Sequence, residues 1–458
     1  MVFAQLITNG KKEGVHAFVV RIRNPDRTPC KGVFIEDMGI KIGLNGIDNA
    51  RIAFNHVRIP RTYLLNKFSE VHKGGQYESK IVKKRDRFLY IANRLLSGRV
   101  CISAMSIGGG KSIIYDTIKY ALQRKGVGAS GKSDTPIMAY QLQQNALIPL
   151  IARFITLNFG FNYVKEMYAD LSAKQAAGGN PSPPNELVRL CCLIKPLVTW
   201  HANRAANIMR ERCGGQGYLS INRVGQGMEF AHAGMTAEGD NSVLMQKVTK
   251  ELMSDLRKGE VELPQMTLCP KRQLPDLLNL NDLNILENLL IWREAHLIEK
   301  LTNNMMQKVM KEGRSLFEVW MGEESDLIQA VAKAHGERIV FGYCLKLLKG
   351  QLPKDPRYYR SVKTTGKLLD QVFRLYALEI VRNDVGLFLV NGIISKVAAG
   401  NLEASINGVI KQIYPQLNDI VESFDVLEQQ WCPISANYVG YNDAPNKGEV
   451  TPHLRPKL

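Results

Sequence analysis

The sequence predicts an α+β protein, mainly α, in which a small β region precedes two helical bundles. Two observations carry that prediction. Apolar, β-branched runs broken by turn residues fill the first 65 positions, and from about residue 80 the apolar residues recur at three-to-four spacing over long segments. Strands first and helices afterwards, rather than alternating, is the order of an α+β chain.

Taken in order, the runs 2–8 and 15–23 are separated by Asn9-Gly10 and the polar stretch 11–14, a hairpin signature. Strand pattern continues at 32–36 and 49–59, with glycines at tight-loop spacing across 37–46, and Pro60 closes the last strand. Strand follows Met1 at once, and one or two hairpins are marginal alone. The sheet is therefore expected to pack on the later helices or on an upstream portion. Helical spacing covers 85–106 and 112–124. After a glycine-rich loop at 126–131, Asp134-Thr135-Pro136 reads as cap and first-turn proline of a long helix to about 173. Residues 178–184 form a break; Asn185 caps a helix through 211, stopped by Gly214-Gly215, and a further helix spans 240–257. A proline-bearing linker is expected over 263–275. Helices follow at 276–309, 327–348, 356–382 and, with breaks, 384–421, before a loop-like tail at 433–458.

Composition narrows the function classes. Of 458 residues, 45% are hydrophobic and 22% charged, which excludes a disordered or fibrous chain. That length suits two or three domains at about 100–200 residues each. No run is expected to reach the roughly 18–20 apolar residues of a membrane helix; the best, 385–394, is short and holds Asn391. Lys and Arg number 60 against 43 Asp and Glu, a net charge of +17. Either the surface is generally basic or the partner is anionic. The basic clusters lack interleaved aromatics, so a phosphate-bearing ligand ranks above nucleic acid. Eight cysteines without C-x-x-C spacing and eight scattered histidines point to reduced thiols and no metal site.

Three motifs invite chemistry. Gly108-Gly109-Gly110-Lys111-Ser112 imitates the end of a phosphate loop, but position 105 is Met and the preceding residues read as helix, which favours close helix packing at small residues. Gly214-Gly215-Gln216-Gly217-Tyr218 follows a helix, not a strand, so it is no Rossmann fingerprint. It is a helix stop whose backbone N–H groups could also meet a pyrophosphate. Glu238-Gly239-Asp240-Asn241 puts a carboxylate where a loop enters a helix. That placement suits the helix dipole alone or a general base facing a cleft.

Together these segments resemble the peroxisomal acyl-CoA oxidases of the acyl-CoA dehydrogenase-like flavoproteins. The resemblance runs through Asp37-Met38-Gly39, Gly43 to Asn49, Phe54 to Arg61, Tyr120 to Lys125, Pro136 to Gln144, Cys213 to Tyr218 and Thr236 to Asn241, in order along nearly the whole chain. It implies a partial β-domain at 1–75, a four-helix-bundle domain at 76–262, the second helical domain of the oxidases at 276–432 and a tail at 433–458. It also implies FAD-dependent oxidation of a fatty acyl-CoA to a trans-2-enoyl-CoA, with oxygen reduced to hydrogen peroxide, in a homodimer. Glu238 matches the catalytic carboxylate. Its pKa would be raised by burial against flavin and acyl chain. Arg124 matches the arginine at the FAD pyrophosphate, Gln141 an amide on the adenosine part, and Gly214 and Gly215 the turn that reaches the cofactor across the dimer interface. Val127 stands where dehydrogenases have Phe, and Asp240-Asn241-Ser242 replaces their Thr-x-Gln.

Members of that family run roughly 200 residues further upstream, which would supply further flavin and acyl contacts (compare). Two alternatives therefore stand beside the oxidase: a truncated, non-catalytic subunit that dimerises with a full-length oxidase, and an acyl-CoA dehydrogenase. The terminal Pro456-Lys457-Leu458 keeps the basic residue and leucine of a peroxisomal Ser-Lys-Leu signal, so a peroxisomal address is expected.

Overall fold

A computed structural model describes residues 1–84, 87, 95–179, 183–265, 279–352 and 356–443. By contact the chain forms two compact units, residues 1–99 and 100–458.

The first unit is β. Strands β1 (Val2–Thr8) and β2 (Lys11–Phe18) form an antiparallel hairpin in which Thr8 faces Lys11. Only Asn9 and Gly10 make the turn, both at positive φ, as a two-residue primed turn requires. The second strand therefore begins at Lys11, not at 15, and 11–14 belongs to the ladder. β3 (Val33–Asp37) pairs antiparallel with β4 (Ala50–Phe54), which stops short of the expected residue 59. A third pair not read from the sequence, β5 (Ser69–Val71) and β6 (Tyr77–Ser79), follows. The buried His16 joins the two ends of this unit through Nε2 to the Tyr77 hydroxyl, 3.1 Å.

The second unit is helical. α1 (Leu95–Gln123) runs unbroken through the three glycines, joining two segments that the sequence had separated; the expected start at 85 lies outside the described residues. A Cβ on Gly109 would lie 2.6 Å from the Phe230 ring, and one on Gly110 would strike the Phe154 ring. The glycines are a packing surface, and no phosphate loop exists there. β7 (Lys125–Val127) and β8 (Ser133–Pro136) then form a hairpin. This corrects the expected helix start at Asp134: Thr135 and Pro136 are strand residues, because their partners Gly126 and Lys125 hold them extended. α2 (Gln141–Ala176) starts five residues beyond Pro136. By length and apolarity α2 could cross a membrane, which the sequence reading had missed, but 67% of its apolar window is buried inside the unit.

α3 (Asn185–Arg212) and α5 (Asn241–Lys258) lie close to their expected bounds, with an unanticipated helix, α4 (Val224–Thr236), between them. α6 (Leu283–Met305) begins later than expected, after residues 266–278 that lie outside the description. α7 (Ser325–Leu348) and α8 (Pro356–Asn383) follow. Then come α9 (Val385–Val390), α10 (Lys396–Gly400), α11 (Leu402–Ile413) and α12 (Leu417–Glu422). α13 (Pro433–Asp443), kinked at Asn437, replaces the first part of the expected loop-like tail. The rest of that tail, with its terminal tripeptide, lies outside the described residues.

The long helices share one interior. α3 packs on α2, α4, α5 and α7, and α8 packs on α2, α6, α7 and α11. Glu337 of α7 sits at 1% side-chain exposure between Arg153 of α2 (2.6 Å) and Arg293 of α6 (2.7 Å), which ties three helices with one carboxylate. Burial opposes its ionisation, yet the two guanidiniums hold its carboxyl down at about 2. His201 of α3 is a core residue whose Nε2 donates to the Leu150 carbonyl, 2.9 Å, and burial pushes its pKa down to about 3.

Candidate active and cofactor site

Four of the five singled-out residues meet at one end of the helical unit. Arg124 directly follows α1, and its carbonyl accepts from Ile137 N, 2.8 Å. Gln141 opens α2 and is exposed. Two residues on, buried Gln143 donates through Nε2 to the Arg212 carbonyl at the end of α3, 3.1 Å. That bond brings the start of α2 to Cys213 and the glycine turn. Cys213 packs with Tyr120, Cys432 and Ile434, so the last turn of α1 reaches the same place.

Gly214 takes φ +58°, and a Cβ on Gly214 or Gly215 would meet nothing within 4 Å. The turn therefore presents bare backbone to open space beside an exposed guanidinium and an exposed carboxamide. This donor set fits a dinucleotide's pyrophosphate, which needs a fixed cation and N–H groups that can approach closely.

Arg124 is itself held. Its Nη1 donates to the Tyr438 hydroxyl, 2.8 Å, and its guanidinium lies 5.5 Å from that ring's centroid. Gln123 donates to the Ser435 carbonyl, 3.1 Å, and accepts from Tyr438 N, 3.3 Å. Ser435 Oγ donates to buried Asp116, 2.6 Å. Thus α13 is pinned to α1 beside the arginine. Sequence reasoning found neither Gln143 nor Tyr438, because each works through a partner distant in sequence.

Glu238 lies elsewhere. It is exposed in the junction between α4 and α5, at φ +58°, a left-handed conformation uncommon for a residue with a Cβ. Gly239 follows at φ +108°, and Asp240 caps α5 by accepting from Ser242 N (2.9 Å) and Val243 N (3.2 Å). Beneath the junction, Lys195 of α3 is fully buried. Its ammonium donates to the Met235 carbonyl (3.1 Å), the Gly239 carbonyl (2.6 Å) and Asn241 Oδ1 (2.9 Å). From Lys195 to Arg212 is 17 helical residues, about 25 Å at 1.5 Å per residue. One chain therefore gathers Arg124, Gln141, Gly214 and Gly215, and holds Glu238 apart from them. In the single chain the Glu238 carboxylate is exposed.

The fold is that of solved acyl-CoA oxidases. The Arabidopsis thaliana acyl-CoA oxidase 1 structure superposes with a TM-score of 0.81 at 24% identity, covering 99% of this chain and 70% of that one. A Caenorhabditis elegans acyl-CoA oxidase-1 structure, complexed with FAD and ATP, gives 0.81 at 19% identity over 98% of this chain and 68% of its own. Family models described as "Acyl-CoA oxidase, C-alpha1 domain" and "Acyl-CoA oxidase" match residues 93–253 and 282–430. The chain belongs to the acyl-CoA oxidase family. Among its relatives, the peroxisomal acyl-coenzyme A oxidase 3 of Arabidopsis thaliana is 30% identical over 453 residues, 96% of this chain and 64% of that protein. The human peroxisomal acyl-coenzyme A oxidase 3 is 34% identical over 262 residues, 55% of this chain and 37% of its own. The chain thus spans a little under two thirds of the first of these relatives.

Proposed function

We propose that this chain acts as a peroxisomal acyl-CoA oxidase, with FAD as cofactor, a fatty acyl-CoA and molecular oxygen as substrates, and a homodimer as the working unit. The observation that carries the reading is the conjunction of Glu238 on a clamped helix junction with a cation, an amide and two bare glycines at the other end of α3. Residues 76–262 would hold this machinery, and 276–432 would form the second helical domain.

Glu238 is the base. Its carboxylate takes the α-proton of the acyl thioester. Bound FAD would supply the complementary redox chemistry, taking a hydride from the β-carbon to leave a trans-2-enoyl-CoA and passing the electrons to oxygen as hydrogen peroxide. Arg124 meets the pyrophosphate as a charge-assisted donor, Gln141 the adenosine part, and Gly214 and Gly215 give the backbone its close approach. Because these four are remote from Glu238 in one chain, they serve the flavin beside a second chain's carboxylate.

The test is peroxide release. Flavin-loaded protein given a fatty acyl-CoA under air should form peroxide and enoyl-CoA in equal amounts. Oxidation that proceeds only with an added electron carrier would make it a dehydrogenase, and a preparation that never binds flavin would make it a non-catalytic subunit.

A further inference from the structure

We infer that Lys195 is the positioning residue for Glu238: its buried ammonium grips the chain on both sides of the carboxylate and holds it in a conformation that the loop would not keep unaided. The inference rests on the reading of Glu238 as the base.

Lys195 is wholly inside the helical unit, in a stretch of α3 where Leu190, Cys191, Ile194, Leu197 and Val198 are buried as well. A charge is placed there only against strong compensation. The ammonium has three N–H donors, and the three acceptors given above surround it. Met235 O lies three residues before Glu238 and belongs to the negative end of α4. Gly239 O lies one residue after it, and Asn241 is the first residue of α5.

The same centre is braced a turn further along α3. Thr199 Oγ1 donates to the Lys195 carbonyl, 2.8 Å, and accepts from Asn241 Nδ2, 3.0 Å, which fixes the orientation of the Asn241 amide. Between the anchors stand two consecutive residues at positive φ, Glu238 and Gly239. For Glu238 that conformation costs energy and persists only where the surroundings over-determine it. A general base must meet its proton within hydrogen-bonding reach, and a misplacement of about 1 Å can cost about 10²-fold in rate. The clamp therefore acts on the position of the carboxylate and not on substrate affinity.

The test compares Lys195→Met, Thr199→Val and Glu238→Gln with the parent. In the flavin-free chain, Lys195→Met should raise amide hydrogen exchange in peptides covering 236–243 by about tenfold or more, while peptides from α2 exchange as in the parent. Thr199→Val keeps the ammonium and should give a smaller rise in the same peptides. Unchanged exchange at 236–243, or an equal rise throughout the helical unit in both variants, overturns the proposal. In flavin-loaded protein, Lys195→Met should slow flavin reduction at saturating acyl-CoA by about 10²-fold with little change in substrate dissociation constant. A loss confined to the dissociation constant overturns it. Parental rates in Lys195→Met beside an inactive Glu238→Gln would remove the clamp and leave the base. An active Glu238→Gln would remove the base itself, and the inference with it.

Discussion

At the scale of single residues, the carboxylate and the guanidinium give separable predictions. Glu238→Gln keeps the shape and loses the ability to accept a proton. It should bind FAD and acyl-CoA as the parent does and lose at least about 10²–10⁴-fold in turnover, measured as peroxide release. Arg124→Ala should instead weaken flavin binding by about 10- to 10²-fold, as expected for a hydrogen bond to a charged group, with the loss read by fluorescence titration. Tyr438→Phe should move flavin affinity in the same direction by less, since the ring remains under Arg124 and only the hydroxyl goes. Glu238 and the glycine turn were legible because they sit in short local motifs. The pairings Gln143 to Arg212 and Arg124 to Tyr438 had no local trace, being 69 and 314 positions apart. Lys195 did leave one: a solitary lysine in the apolar run of α3 must either reach solvent or find several acceptors.

Elements follow their own rules, and two of these can be tested. Gly110 lies where α1 meets the ring of Phe154, so Gly110→Ala inserts a methyl where the packing leaves no room. The cost should be about 1–3 kcal/mol, seen as a lower thermal midpoint, although alanine is the better helix former. The Glu337 bridge makes stability depend on acid. The two guanidiniums hold its carboxyl at about 2 in the folded chain against an ordinary 4.5, so the bridge contributes fully above pH 4.5. That contribution, on the order of 3 kcal/mol, is lost as pH falls from 4.5 towards 2. Thermal melts across that range should show the fall. Glu337→Gln should be less stable by about 3–5 kcal/mol at neutral pH, because Arg153 loses its carboxylate and Arg293 keeps only Asp384, and its melts should fall less steeply below pH 4.5, with Glu294 supplying the remaining acid dependence. Helices with strong end signals, such as α5 behind Asp240, were readable within a residue or two. The start of α2 was misread because Asp134-Thr135-Pro136 imitates a cap, and only pairing with 125–127 reveals it as strand.

For the molecule as a whole, the order of elements was legible and the closure of the helical unit was not. The sequence presents two bundles divided by a linker. The fold presents α7 against α2, α3 and α5, with Glu337 bridging helices from both sides of that linker. Such contacts join residues remote in the chain, and periodicity carries no information about them. The separation of Glu238 from Arg124, Gln141, Gly214 and Gly215 along α3 gives a further expectation. Flavin uptake should rise with the dimer fraction in a dilution series followed by sedimentation and flavin absorbance, and the chain without further partners should bind FAD weakly. A monomer that binds FAD stoichiometrically would overturn the two-chain site. A fluorescent protein carrying the last ten residues should gather with a peroxisomal marker; diffuse fluorescence would deny the tail that role.

The hydroxyl that holds Arg124 arrives 314 residues after it during synthesis. At 5–20 residues per second a ribosome needs about 16–60 s to cover that stretch. Throughout that interval the arginine, the glycine turn and the first residue of α2 can already stand together, while the helix that pins them is still unmade. Should Arg124 meet a flavin, its capture is expected only after residues 433–443 have been made. A message stalled before codon 433 should yield ribosome-bound chains that bind flavin more weakly than the finished protein, however well their earlier helices have formed.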